Sequence, residues 1–92
     1  MKKKTTINIG LHLENGQIID LQIPNQIKLV RLKKILQEAL TYLAIQLPES
    51  FELLILNKPI HLEENDWLSD FPLANGDQLR VKKLVDDNEE DI

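Results

Sequence analysis

Ninety-two residues, 42% of them hydrophobic, suffice for one small domain with a single core. The absence of cysteine excludes disulfides and thiolate metal sites and makes a reducing compartment the simpler expectation. The net charge of −4 is unevenly placed: Asp86, Asp87, Glu89, Glu90 and Asp91 fall in the last seven residues, and without these five acids the balance is 11 − 10 = +1, which lends no support to nucleic-acid binding.

Residues 1–4 are basic, but residues 5–13 alternate instead of running apolar, so neither a signal peptide nor a membrane span is expected. A cytoplasmic protein is the resulting expectation. In residues 5–13, Ile7, Ile9, Leu11 and Leu13 share one face of a strand, with Thr6, Asn8 and His12 on the other. Residues 17–23 form a second strand, with Ile19, Leu21 and Ile23 inward. A two-residue Asn15-Gly16 turn would set Leu11 against Asp20 and Ile9 against Gln22, opposing apolar to polar on both faces. A three-residue loop with Gly16 left-handed, a bulged hairpin, instead pairs Leu11 with Ile19, Ile9 with Leu21 and Ile7 with Ile23.

Pro24 closes the second strand, and a helix is expected over 29–44. Leu29, Leu32, Ile35, Leu36, Ala39, Leu40 and Leu43 fall on one stripe, opposite Arg31, Lys34, Gln37, Glu38 and Thr41. No capping box precedes this helix, and Lys28, Arg31, Lys33 and Lys34 crowd the end where the helix dipole disfavours positive charge. A solvated face is the plain reading of that cluster. The sharper one is a docking site for an acidic partner, with Lys28, Arg31 and Lys34 as its residues. Pro48 bars continuation of the helix.

Residues 51–56 are too apolar to alternate cleanly, with Phe51, Leu53 and Ile55 on one face and Glu52, Leu54 and Leu56 on the other. A central strand, partly covered on its outer side, is expected there. A short edge strand over 60–62 begins after Pro59, a polar loop spans 63–66, and one helical turn covers 67–71. Residues 74–77 make a tight turn into the last strand, 78–84, with Leu79 and Val81 inward and Gln78, Arg80 and Lys82 outward. A right-handed crossover sets the third or the last strand parallel to the first. This order describes an α+β fold, a β-grasp or ubiquitin-like domain over 1–84, with a mixed four- to five-stranded sheet packed on one main helix. Residues 85–92 are expected to be a disordered acidic tail.

The bulged hairpin, the helix after Pro24 and above all Glu64-Asn65-Asp66-Trp67-Leu68-Ser69-Asp70-Phe71-Pro72-Leu73-Ala74-Asn75-Gly76-Asp77-Gln78-Leu79-Arg80-Val81 resemble the YukD/EsaB family. These are ubiquitin-like proteins encoded with the type VII (WXG100/ESX) secretion systems of Firmicutes, and the resemblance spans about residues 5–84. Leu68-Ser69-Asp70-Phe71 is also similar to a stretch of ubiquitin itself. The resemblance implies a non-enzymatic cytosolic accessory or regulatory component of secretion that binds proteins noncovalently, including cytosolic regions of the secretion membrane components. It brings no catalytic residue and no cofactor. The chain ends Asn88-Glu89-Glu90-Asp91-Ile92 without the diglycine that conjugation or sulfur carriage requires, so a covalent modifier or sulfur carrier is the weaker alternative. A ubiquitin-like interaction module of an unrelated pathway is the nearer one.

Residue by residue, the chemistry is sparse. His12 and His61 are expected on strand surfaces without metal-ligand spacing, and Glu63, Glu64 and Asp66 do not make a calcium loop. Ser50 and Ser69 have no histidine nearby in sequence. Trp67 is expected to pack beneath the helix end; if exposed, it becomes a natural binding hot spot. Leu54 and Leu56, on the outer side of their strand beside Arg80 and Lys82, form the favoured docking face: an apolar centre with a basic rim.

Overall fold

The computed structural model describes residues 6–84, and the acidic tail expected over 85–92 lies outside the described residues. Alternating apolar residues form β1 (Thr6–His12) and β2 (Ile18–Pro24), an antiparallel hairpin in the bulged register: Leu11 opposes Ile19, Ile9 opposes Leu21 and Ile7 opposes Ile23. Gly16 makes this possible at φ +93°, a backbone region closed to most L side chains. Leu13 N–H then donates to Gln17 O at 2.8 Å, and Asn15 Oδ1 accepts from Gln17 N–H at 2.8 Å.

Helix α1 (Leu29–Tyr42) buries Leu29, Leu32, Leu36 and Leu40 against the sheet. Its buried stripe is narrower than the periodicity implies: Ile35 is half-buried, Ala39 is exposed at the margin, and Leu43 is 56% exposed. The helix stops at Tyr42, so extrapolating 100° per residue to Leu43 fails. Ala44 takes φ 59°, its N–H donates to Thr41 O at 3.0 Å, and Ile45 N–H donates to Leu40 O at 2.9 Å. This is a Schellman cap, with Ile45 folded back on the core.

Strands β3 (Phe51–Ile55) and β4 (Asp77–Lys83) complete a four-stranded sheet of order β2-β1-β4-β3, with a 3-10 turn at Leu68–Asp70 between them. β4 lies parallel to β1, and β3 runs antiparallel to β4. Two expectations are corrected here. β3 is an edge strand, because β4 inserts between it and β1, so the partial cover of Leu54 comes from a neighbour on one side only. Residues 60–62 form no strand: Pro59 has no N–H to donate, and Ile60 N–H is bonded to Lys58 O at 2.8 Å, leaving no ladder to build. Leu62 still enters the core, at 6% exposure.

Among the described residues, fifteen hydrophobic ones, fourteen aliphatic and Phe51, are buried in the core, with Leu79 and Val81 at 1% exposure on β4 as expected from their alternation. No helix among the described residues is long and apolar enough to cross a membrane.

The missing capping box at the start of α1 has a tertiary replacement. Leu29 N–H donates to Asp66 O and Val30 N–H to Glu64 O, both at 3.0 Å, while Leu68 N–H returns a bond to Ile27 O at 2.9 Å. Lys28 and Trp67 are bridged through their backbones. A loop more than thirty residues downstream thus satisfies donors that local sequence leaves open.

Candidate docking surface

The sheet face away from α1 is organised in cross-strand rows. One row runs Ile18, His12, Arg80, Leu54 from β2 to β3, and the next runs Asp20, Gly10, Gln78. Leu56 follows the end of β3 and meets this second row through its N–H, which donates to Gln78 O at 2.8 Å. Leu54 is half-buried directly opposite Arg80, which is exposed; Leu56 is 47% exposed. Lys82 is exposed too, but Glu52 stands directly across from it, so the basic rim expected from sequence carries an acid at its corner. The structure therefore brings Leu54, Leu56, Arg80 and Lys82 to one face, toward one edge of the sheet and not its centre.

The middle of this face is polar and ordered. His12 Nε2, in the tautomer that carries the proton there, donates to Gln78 Oε1 at 2.7 Å, and Gln78 Nε2 donates to Gly76 O at 3.0 Å. Gly10 makes room for this arrangement, since a Cβ on it would lie 2.5 Å from Gln78 Oε1. His12 is half-buried by this contact, whereas His61 is exposed with Nε2 3.2 Å from a Glu63 carboxylate oxygen. Among the described residues no cluster of three or more histidines and carboxylates is placed to hold a metal ion.

The second predicted surface lies on α1. Arg31 and Lys34 are exposed and, among the described residues, form no ion pair. Lys33 is paired with Glu64, and its ammonium also sits 5.7 Å from the centre of the Phe51 ring. Lys28 is directed over Trp67, 5.6 Å from the ring centre, a favourable charge–quadrupole contact. Trp67 is 46% exposed and so does not pack beneath the helix end as expected: the backbone bridge to Lys28 holds it at the surface, and the neighbouring Leu68 takes the buried place.

Asp77 is the feature that sequence reading missed, having been read as part of a turn. It is 3% exposed, the sole polar residue among the buried side chains described. Asn57 Nδ2, Lys58 Nζ and Ala74 N–H each donate to its carboxylate at 2.9 Å, and Lys58 also donates to Pro72 O at 2.6 Å. Burial pushes the Asp77 carboxyl upward, but the bonds from Asn57, Ala74 and Lys58, with the Lys58 charge, outweigh it and hold the group below the ordinary aspartate value. It locks the loop after β3 to the turn before β4. The signal available in sequence was an aspartate directly after Gly76 at the start of a core strand, with a lysine following the preceding strand.

A groove of about 360 Å³ between the hairpin loop and the exit of α1 is lined by Leu13, Asn15, Ala44, Leu47 and Val81 among others. Its lining holds one titratable side chain, Glu14.

The architecture is that of a ubiquitin-like β-grasp domain, and solved structures share it. A protein designed on the basis of ubiquitin aligns over 91% of this chain and 95% of its own with a TM-score of 0.67 and 17% identity. The ubiquitin-like domain of Plasmodium falciparum Dsk2 aligns over 84% and 99%, at 0.58 and 23%. A chain of the MycP5-free ESX-5 inner membrane complex aligns over 90% of this chain but 22% of that chain, at 0.62 and 16%. Identities this low speak for the fold alone. No known protein family and no curated protein matches the sequence.

Proposed function

We propose that this protein is a non-enzymatic, ubiquitin-like interaction module that serves as a cytosolic accessory component of a type VII secretion system, binding its partner noncovalently through Leu54, Leu56, Arg80 and Lys82. The observation that carries the reading is the outer face itself, where Leu54 stands opposite Arg80 and beside exposed Leu56 with no catalytic grouping near it. Partly exposed leucines at the sheet edge, flanked on the inner side by Arg80 and Lys82, combine the apolar and charged contacts that protein interfaces use. The secretion assignment rests on the motif running from Glu64 to Val81, and the shared fold with a chain of the ESX-5 complex is in keeping with it. The shared fold by itself, seen also in the Dsk2 domain, is equally in keeping with a second reading, the same kind of module in another pathway.

Affinity capture of the tagged protein from its native cells, with identification of co-purifying proteins and the intact mass of the bait, separates these readings. Unmodified bait with type VII membrane components, lost in Leu54→Asp while the thermal midpoint holds, is the expected result. Full retention of every partner by Leu54→Asp would remove the docking face; covalent adducts of the bait would replace the noncovalent mechanism.

A further inference from the structure

Of the seven asparagines in the chain, Asn15 and Asn75 are followed by glycine. Such a pair is chemically labile: with no side chain on the following residue, its backbone nitrogen can reach the asparagine Cγ and close a five-membered ring. Both glycines sit in turns at nearly the same backbone angle, φ +93° for Gly16 and +92° for Gly76. Apart from chain neighbours, nothing lies within 4 Å of where a Cβ would stand on either one. Conformation and access therefore do not separate the two sites, but their hydrogen bonds do.

Asn15 folds forward along its own chain. Its Oδ1 accepts from Gln17 N–H at 2.8 Å, an Asx turn, which lays the side-chain carbonyl over the intervening peptide unit that carries the Gly16 nitrogen. The same Gln17 N–H meets the oxygen on which negative charge develops when Cγ is attacked, as a donor in an oxyanion hole does. Gly16 N–H is bonded to Leu13 O at 3.0 Å within the loop itself, so opening the tip of the hairpin frees it. Asn75 is turned away from its own chain. Its Oδ1 accepts from Asn8 N–H at 2.8 Å and Gly76 N–H donates to Asn8 O at 2.8 Å, so one residue of β1 holds both reacting groups. Releasing them separates β1 from the turn that enters β4, beside the buried carboxylate of Asp77.

We propose that Asn15 is a site of spontaneous deamidation, with water as the co-reactant, and that the clamp on Asn8 protects Asn75. Hydroxide removes the Gly16 amide proton, and the nitrogen attacks Asn15 Cγ. The N–Cγ bond forms and the Cγ–Nδ2 bond breaks; the leaving nitrogen takes a proton from water, which restores the hydroxide, and departs as ammonia. Water then opens the succinimide at either carbonyl, giving aspartate or isoaspartate, and nothing is oxidised or reduced. The product places a second carboxylate beside Glu14, whose Oε2 accepts from Lys83 N–H at 3.0 Å, in the lining of the groove between the hairpin loop and the exit of α1. In the isoaspartate form the backbone also gains a methylene in the loop that sets the β1–β2 register. The hairpin end of the groove thus becomes more acidic and less tightly closed as the molecule ages.

Incubation of the full-length protein in mildly alkaline buffer, with peptide mapping that resolves aspartate from isoaspartate, tests this. Asn15 should be lost about tenfold faster than Asn75, because the hairpin tip opens at a smaller free energy than the junction of β1 with β4. In strong denaturant the two rates should converge, since both sites are then unfolded Asn-Gly pairs. The isolated isoaspartate form should lose exchange protection at the Leu13 amide, which donates to Gln17 O, while keeping it at Ile9. Equal rates at the two sites in the folded chain, or a difference that persists in denaturant, would overturn the assignment; an unchanged Leu13 amide in the isoaspartate form would overturn the loosening of the hairpin.

Discussion

The two ends of α1 are finished by opposite means. At its C-terminus the helix closes itself: Leu40, Thr41, Ala44 and Ile45 lie within six residues and satisfy the last carbonyls with a Schellman turn. At its N-terminus Lys28 offers no side-chain cap, and the carbonyls of Glu64 and Asp66 take its place. The same loop delivers Glu64 to Lys33 and backs Lys28 with Trp67, so the positive charge that opposes the helix dipole is compensated from a distance. A locally closed end depends on backbone conformation, whereas a remotely closed end depends on whatever anchors the remote loop.

Removing the anchor should therefore have the largest effect. Leu68, 1% exposed, pins the capping loop to the core, and Leu68→Ala is expected to cost about 2 to 5 kcal/mol in chemical denaturation. Amide exchange at Leu29 and Val30 should rise more than at Ile45; equal acceleration at both ends would mean that the loop does not cap the helix. The far end of the same excursion is held by Asp77. Asp77→Ala leaves Lys58, Asn57 and the Ala74 N–H without their acceptor and should cost about 2 kcal/mol.

The pH dependence of that anchor has a definite sign. Because the folded Asp77 carboxyl lies below its ordinary value of 3.8, its stabilisation is fully present above that value and is lost as the pH falls through the lower folded-state value. Acid titration of the denaturation midpoint should thus show a loss below pH 3.8 that Asp77→Asn reduces. An identical acid limb in the variant would assign that loss to other carboxylates.

Smaller effects sharpen the contrast. Asp66 Oδ2 accepts from Glu63 N–H at 2.7 Å and shapes the loop, so Asp66→Ala should cost about 1 kcal/mol and act on the N-terminal end alone. At the other end Ala44 bears a side chain at φ 59°, where glycine is at ease. Ala44→Gly should stabilise the domain by about 0.5 kcal/mol, read as a small rise in midpoint; a fall would mean that the methyl group contributes packing that outweighs the backbone relief.

Much of the fold was legible in local pattern. The alternation of β1 and β2 together with Gly16 determined the hairpin register, because the one-residue alternative opposes Leu11 to Asp20 and sends apolar side chains to solvent. The spacing of Leu29, Leu32, Leu36 and Leu40 determined the buried side of α1, and the inward positions of Leu79 and Val81 came from period two. The candidate docking face was legible for the same reason: on a strand, residue parity decides which side Leu54, Arg80 and Lys82 occupy.

Only the tertiary structure decided the rest. The chain's alternation is the same in a central strand and in an edge strand, so the placement of β3 outside β4 was settled by which edge of β1 the returning chain could reach. Residues 60–62 had the apolar content of a strand but, after Pro59, no free N–H pattern to pair. The cap of α1, the exposure of Trp67 and the burial of Asp77 all depend on partners distant in the chain, and such groups are brought into contact by packing of the whole core, which local propensity and periodicity do not encode.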